Sequence, residues 1–146
     1  RWHTRTSGNE SVGKDNRKMG NMITVSWKIF HGHYDIKSKL CYRQLVEEVI
    51  EWFMEKHELD RDVDFMVNLK NYQVMECYGE THQDDNKYVI SLAADQNLRD
   101  FVATLMHEMV HVHQWERDNW VGDGEKEAED KQYELADEFW KEGLIR

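Results

Sequence analysis

The chain of 146 residues has no proline and only two cysteines. Cys41 and Cys77 are too few for a disulfide framework and lack paired metal-ligand spacing; their apolar neighbours predict buried thiols, and the sequence leaves a single bridge between them open. Long hydrophobic runs are also missing. No stretch approaches the roughly 20 consecutive apolar residues that span a bilayer, and no charged-then-apolar leader opens the chain, so a soluble protein without a membrane partner is expected, cytoplasmic or of a compartment the sequence leaves open. Positive charge is scarce, with 19 Lys and Arg against 29 Asp and Glu for a net charge of −10. That balance repels phosphate backbones and anionic lipid, and argues against nucleic acid as a partner.

What is present suits one folded domain. Hydrophobic residues make up 40% and aromatics 12%, enough apolar material for a core and too much for global disorder. No internal repeat or low-complexity tract divides the chain. Residues 1–20 are polar and rich in Gly, Ser, Asn, Lys and Arg, and read as a flexible tail, native or left over from expression, with Met19 or Met22 as a candidate native start. The domain is therefore expected over residues 21–146.

The residues of 23–30 are β-branched and aromatic and predict a strand. Over 39–57, Tyr42, Leu45, Val46, Val49, Ile50 and Trp52 or Phe53 recur at helical spacing with charges between them, which predicts an amphipathic helix. Three further strands are expected, at VDFMVNL, YQVMECYG and NKYVISLA, with the polar ETHQDDN as a loop between the last two. Asn97 or Asp95 could cap a helix from Leu98 to Asp118, and the VGDG turn at 121–124 separates it from a last helix over 125–142. The order strand, helix, three strands, helix, helix is an α+β arrangement around a small, antiparallel-rich sheet.

Eight histidines are many for this length. Two of them stand in His107-Glu108-Met109-Val110-His111, the H-E-x-x-H pattern. On a helix, residues four apart lie one turn above the other, so both imidazoles can bind one Zn²⁺ while Glu108 serves as general base. With His107 at 0° and about 100° per residue, His111 falls near about 40° and Glu108 near about 100°, while Phe101, Val102, Leu105, Met109 and Val112 gather on the opposite side. A zinc site of this kind needs a third protein ligand. On the last helix, Ala128, Tyr133, Leu135, Ala136, Phe139 and Trp140 form an apolar arc, and Glu125 and Glu129 are the acids within it. Carboxylates on a core-facing stripe require partners. Glu125 is assigned as third ligand and Glu129 as the acceptor of a ring N–H, that of His107; the wheel alone leaves the reverse assignment open.

HEMVH followed by Glu125-Lys-Glu-Ala-Glu129 resembles the gluzincin zinc metallopeptidases, and the element order over residues 23–142 resembles their compact minigluzincin core. SprT-like and ImmA/IrrE-like proteins are similar small zincins. The sequence departs from the family in having Glu129 where Asp or Asn is usual and in the short spacing from His111 to Glu125; no third His follows His113 as in SprT-like members, which favours glutamate. The resemblance implies a zincin-like fold, one Zn²⁺ per chain, a peptide or protein substrate, and hydrolysis by metal-activated water with Glu108 as base. It also implies a substrate edge strand at Tyr88-Val89-Ile90. Tyr133 is the leading candidate for oxyanion stabiliser, with His113 and His82 as others, and Trp115, Trp120 and Trp140 read as packing. His31 and His33 read as a surface or turn feature. The alternatives are a zinc-binding module with an adaptor or regulatory role, and a SprT-like protease acting on DNA-associated proteins, against which the charge counts.

Overall fold

The computed structural model describes residues 2–7, 22–27, 36–59, 63–85 and 87–143. His31 and His33 lie outside them, as do residues 28–30 of the first expected strand and residues 8–20 of the polar tail.

Among the described residues five strands form one sheet: β1 (Trp2–Ser7), β2 (Ile23–Trp27), β3 (Asp64–Lys70), β4 (Gly79–Asp84) and β5 (Lys87–Ala93), in the order β1-β4-β5-β3-β2. The helices are α1 (Ile36–Lys56), the single turn α2 (Tyr72–Met75), α3 (Leu98–Arg117) and α4 (Glu125–Glu138), which runs on as a π-helical turn over Phe139–Gly143. The fold is α+β, with a mixed sheet where an antiparallel-rich one was expected. β1 with β4, β2 with β3 and β3 with β5 are parallel; β4 with β5 is antiparallel. The helical crossover through α1 returns the chain in the same direction, so β2 and β3 run parallel, whereas the tight turn at Asp85, with φ 60°, makes β4 and β5 a hairpin.

Two sequence expectations exchange places here. Tyr72–Met75 is helical rather than extended: Asp95 Oδ1 accepts from Tyr72 N at 2.9 Å, and Glu76 ends the turn in the left-handed region at φ 60°. The polar stretch that reads as a loop is the strand β4. Its inward residues are Gly79 and Thr81, too small to give the apolar alternation by which strands are recognised.

Phe65, Val67 and Leu69 of β3 stand in register beside Tyr88, Ile90 and Leu92 of β5, and all six are buried. Against them lie Val46, Val49, Ile50 and Phe53 of α1 and Phe101, Val102, Leu105, Met106, Met109 and Val112 of α3. Each fully buried side chain of this size contributes about 1.5–3 kcal/mol, so α3 is the best-anchored helix of the domain. Asn97 caps it, accepting from Asp100 N at 2.8 Å; Asp118 closes it at φ 53°. Cys77 is buried, but Cys41 is exposed, and both are free thiols. The single bridge that the sequence left open therefore does not form. Among the described residues no helix is long and apolar enough to cross a membrane.

Candidate metal centre

α3 carries His107, Glu108 and His111 in its buried middle, all at 1% exposure or less. α4 begins at Glu125, directly after the turn that reverses the chain at Gly122 (φ 63°) and Gly124 (φ 81°). Asp123 Oδ1 accepts from Glu125 N at 3.0 Å and fixes this entry. The result sets the Glu125 carboxylate across both imidazoles, with His107 Nε2 3.0 Å from Oε1 and His111 Nε2 3.1 Å from Oε2. The three residues form a group that could hold a metal ion.

The outer faces of the rings decide what the inner faces offer. His107 Nδ1 donates to Gln132 Oε1 at 2.8 Å, and His111 Nδ1 donates to Gln114 Oε1 at 2.9 Å. The orientation of the Gln114 amide is fixed in turn, because its Nε2 donates to Gly124 O at 3.0 Å and to Glu127 Oε1 at 2.9 Å. With Nδ1 protonated, a neutral ring presents a lone pair at Nε2. Burial holds His111 below the usual histidine range, which favours that neutral form. Its Nε2 is buried without a hydrogen-bond partner.

Two imidazole lone pairs and a carboxylate thus point at one another, an arrangement that only a cation or a proton satisfies. Burial alone would raise the pKa of Glu125, but its position against the rings of His107 and His111 brings the pKa down. Ligand atoms about 2.0–2.1 Å from a tetrahedral metal lie about 3.3 Å apart; one donor atom from each of the three residues lies within 4.8 Å of the others. The donor set of two nitrogens and one carboxylate fits a borderline divalent metal.

Glu108 lies beside this group but belongs to a different environment. Its Oε1 accepts from Thr81 Oγ1 at 2.5 Å, while Oε2 is buried and unpartnered. Burial pushes its carboxyl well above the usual range, despite the opposing Thr81 hydrogen bond, and the negative charges of Glu125 and Glu80 add to the rise. Gly79 of β4 makes the space: a Cβ there would lie 2.9 Å from Glu108 Oε2 and 2.9 Å from Thr104 Cγ2. A cleft of about 330 Å³ adjoins this point, lined by Tyr78, Asp95, Gln96, Asp100, Thr104 and Tyr133.

Of the residues expected at the site, His107, Glu108, His111 and Glu125 come together; the others do not. Glu129 is exposed, and Gln132 takes the position against His107 that was expected of it. The buried ridge of α4 is Ala128, Gln132, Leu135 and Ala136, continued by Phe139, which leaves Glu129 on the rim of the arc. Tyr133 is likewise on the rim at 37% exposure, and its hydroxyl donates to Asp100 Oδ1 at 2.7 Å, two turns of α3 before His107. Its hydroxyl is engaged away from the histidines. Tyr88-Val89-Ile90 cannot serve as a substrate edge, because β5 is paired on both sides, by β4 and β3.

The secondary candidates also find other surroundings. His113 packs at a tilt against His57 and accepts from Arg117, and His82 on β4 lies 3.8 Å from Glu80. Trp115 stacks on Tyr88 and Trp140 packs on the core, but Trp120 is exposed at 38%. Gln114, Gln132, Thr81, Gly79 and Gly124 were not visible as site residues. Gln114 alone carried a signal, three residues after His111 on the same helix. No family model, curated protein or solved structure matches the chain.

Proposed function

We propose that the chain is a zinc-dependent peptidase in which Glu108 acts as general base. The observation that carries this reading is the convergence of His107 Nε2, His111 Nε2 and the Glu125 carboxylate, beside a glutamate on the same helix. Zn²⁺ held there would supply Lewis-acid polarisation of a peptide carbonyl and a lowered pKa for the attacking water. Gln132 and Gln114 keep both rings in the tautomer that ligation needs. Glu108 takes the proton of the water and delivers it to the departing amine, a role favoured by a carboxyl whose pKa lies above the usual range. Thr81 holds one oxygen of Glu108 and leaves Oε2 for the proton. The cleft that Thr104 lines is the space offered to the substrate.

The test joins metal analysis with one variant. Wild-type protein should carry about one equivalent of zinc, and Glu108→Gln should retain it while losing peptide hydrolysis by about 10²–10⁴-fold. Wild-type protein without affinity for a divalent metal would overturn the reading. A second reading, a metal-holding domain that is not an enzyme, is favoured by the complete burial of Glu108. It predicts zinc binding and equal, background hydrolysis in both proteins.

A further inference from the structure

The cleft of about 330 Å³ has a chemistry of its own, distinct from that of the histidines. Of the six residues that line it two are acids, Asp95 and Asp100, two are tyrosines, Tyr78 and Tyr133, and none is Lys or Arg. Asp95 accepts from Tyr72 N at 2.9 Å, while Asp100 accepts from Asn97 Nδ2 at 3.0 Å and from the Tyr133 hydroxyl at 2.7 Å. All three donors are neutral, and among the described residues neither acid has an ion pair. The adjacent guanidinium, that of Arg99, is turned to Asp137, which it meets through Nε and Nη2 at 3.2 Å each.

Two carboxylates on a surface are ordinarily solvated and signify nothing alone. Here the rest of the cleft points to a ligand. The rings of Tyr78 and Tyr133 stay exposed, and Tyr133 already serves as a cation partner, with Arg99 4.6 Å from its centroid. The polar floor spends its donors internally, Thr104 Oγ1 on Gln96 Oε1 at 3.1 Å and Gln96 Nε2 on Ala93 O at 2.7 Å, so what remains for a ligand is chiefly acceptors. The Thr104 methyl also shares its surroundings with the fully buried, unpartnered Oε2 of Glu108: each lies 2.9 Å from the point where a Cβ on Gly79 would stand.

We propose that this cleft binds a primary ammonium or guanidinium group, carried on a lysine or arginine side chain or on a small free amine. An anion is repelled by both carboxylates, and a neutral apolar group would strip them of water without replacing it. A cation with N–H donors satisfies the acceptors, and the phenol rings add attraction to its charge. The volume stands at the small end of ligand pockets, suited to one side chain rather than to a large cofactor. A net charge of −10 draws cations towards the protein in the first place. Cation binding stands apart from the peptidase reading; the consequence that a substrate is selected by a basic side chain rests on that reading.

The test is a titration of the ¹⁵N-labelled full chain, followed at its backbone amides, with n-butylammonium, a blocked Ala-Lys-Ala tripeptide and the same tripeptide with norleucine for lysine. The two cationic probes should give saturable shifts at Asp95, Asp100 and Thr104, weakened by added salt, and the norleucine peptide should not. Asp95→Asn with Asp100→Asn keeps the acceptors for Tyr72 N and the Tyr133 hydroxyl but removes both charges, and should lower the affinity by about tenfold. Tyr133→Leu keeps the charges and should lower it by about threefold. Equal affinity for the two cationic probes assigns the site to a free amine, and tighter binding of the lysine tripeptide assigns it to a polypeptide side chain.

Equal binding of the lysine and norleucine peptides, or undiminished affinity in the folded double variant, would overturn the proposal. With the peptidase reading, a peptide with lysine beside the scissile bond should be cleaved faster than its norleucine counterpart, and the double variant should lose that preference. Should Glu108→Gln leave hydrolysis unchanged, the peptidase reading fails while the titrations still decide the cation site.

Discussion

Gly124 offers the sharpest test of how the metal centre is held. Its φ of 81° is one that L side chains adopt with strain, and a Cβ there would fall 2.2 Å from Gln114 Oε1, the atom that accepts from His111. Gly122, two residues earlier, has φ 63° and nothing within 4 Å of the same added atom. Replacing either glycine by alanine incurs left-handed backbone strain of about 1–2 kcal/mol. Gly124→Ala must also displace the Gln114 amide, which breaks its bonds to His111, Gly124 O and Glu127 and leaves buried polar groups unsatisfied at about 1–3 kcal/mol.

The metal-free Gly124→Ala protein should therefore unfold with about 1–3 kcal/mol less stability than Gly122→Ala, or about 2–12 °C lower in Tm for a chain of this size. Its zinc affinity, measured by competition with a chelating dye, should fall by about 10–100-fold, the usual effect of losing the group that orients a ligating histidine. Gly122→Ala should leave zinc affinity unchanged. If the two variants match in both measurements, the Gln114 amide does not orient His111 and the account of the centre is wrong.

Other expectations follow from the same contacts. Gly79→Ala should slow hydrolysis while sparing zinc binding, because the added methyl meets Glu108 and not the ligands; parallel kcat and zinc titrations separate the two. Thr81→Val removes the donor to a fully buried carboxyl and should cost about 1–3 kcal/mol in urea unfolding. Gln132→Leu should weaken zinc binding by about 10–100-fold, since His107 Nδ1 loses its acceptor. Burial holds His57 below the usual histidine range, outweighing its bond to Phe53 O, with nearby Lys131, Lys56 and Arg117 adding to the lowering. A folded pKa below the unfolded one means stability is full above the unfolded value of about 6.5 and is lost as pH falls through the depressed one. His57→Phe should flatten that acid-side decline in a series of unfolding curves at different pH.

The helices were legible because their pattern is local. α3 announces itself by the Asn97 cap, the apolar spacing of Phe101, Leu105, Met109 and Val112, and the two histidines one turn apart. The strands were less so. β3 and β5 carry large apolar side chains at alternate positions, but β4 faces the core with a glycine and a threonine, because its neighbour there is Glu108 rather than a hydrocarbon surface. The feature that hides the strand from a pattern search is the same one that makes room for the Glu108 carboxyl. Strand direction was illegible for a different reason: β4 reaches its place beside β5 through a hairpin, and β3 lies on the other side of β5, an ordering that no local pattern encodes.

Within the site, the chain's one-dimensional order determined three things: the paired imidazoles of His107 and His111, the adjacent Glu108, and a glutamate at the start of the next helix. Helical periodicity fixes which side chains share a face, and that is sufficient for residues on one helix. Tertiary structure decided between Glu125 and Glu129, replaced a carboxylate by Gln132 behind His107, and engaged Tyr133 with Asp100. Those outcomes depend on the rotation and offset of α4 against α3, where a turn of a few tens of degrees moves a side chain from the buried ridge to the rim. Periodicity sets angles within a helix; only the packing of one helix on another sets the angle between them.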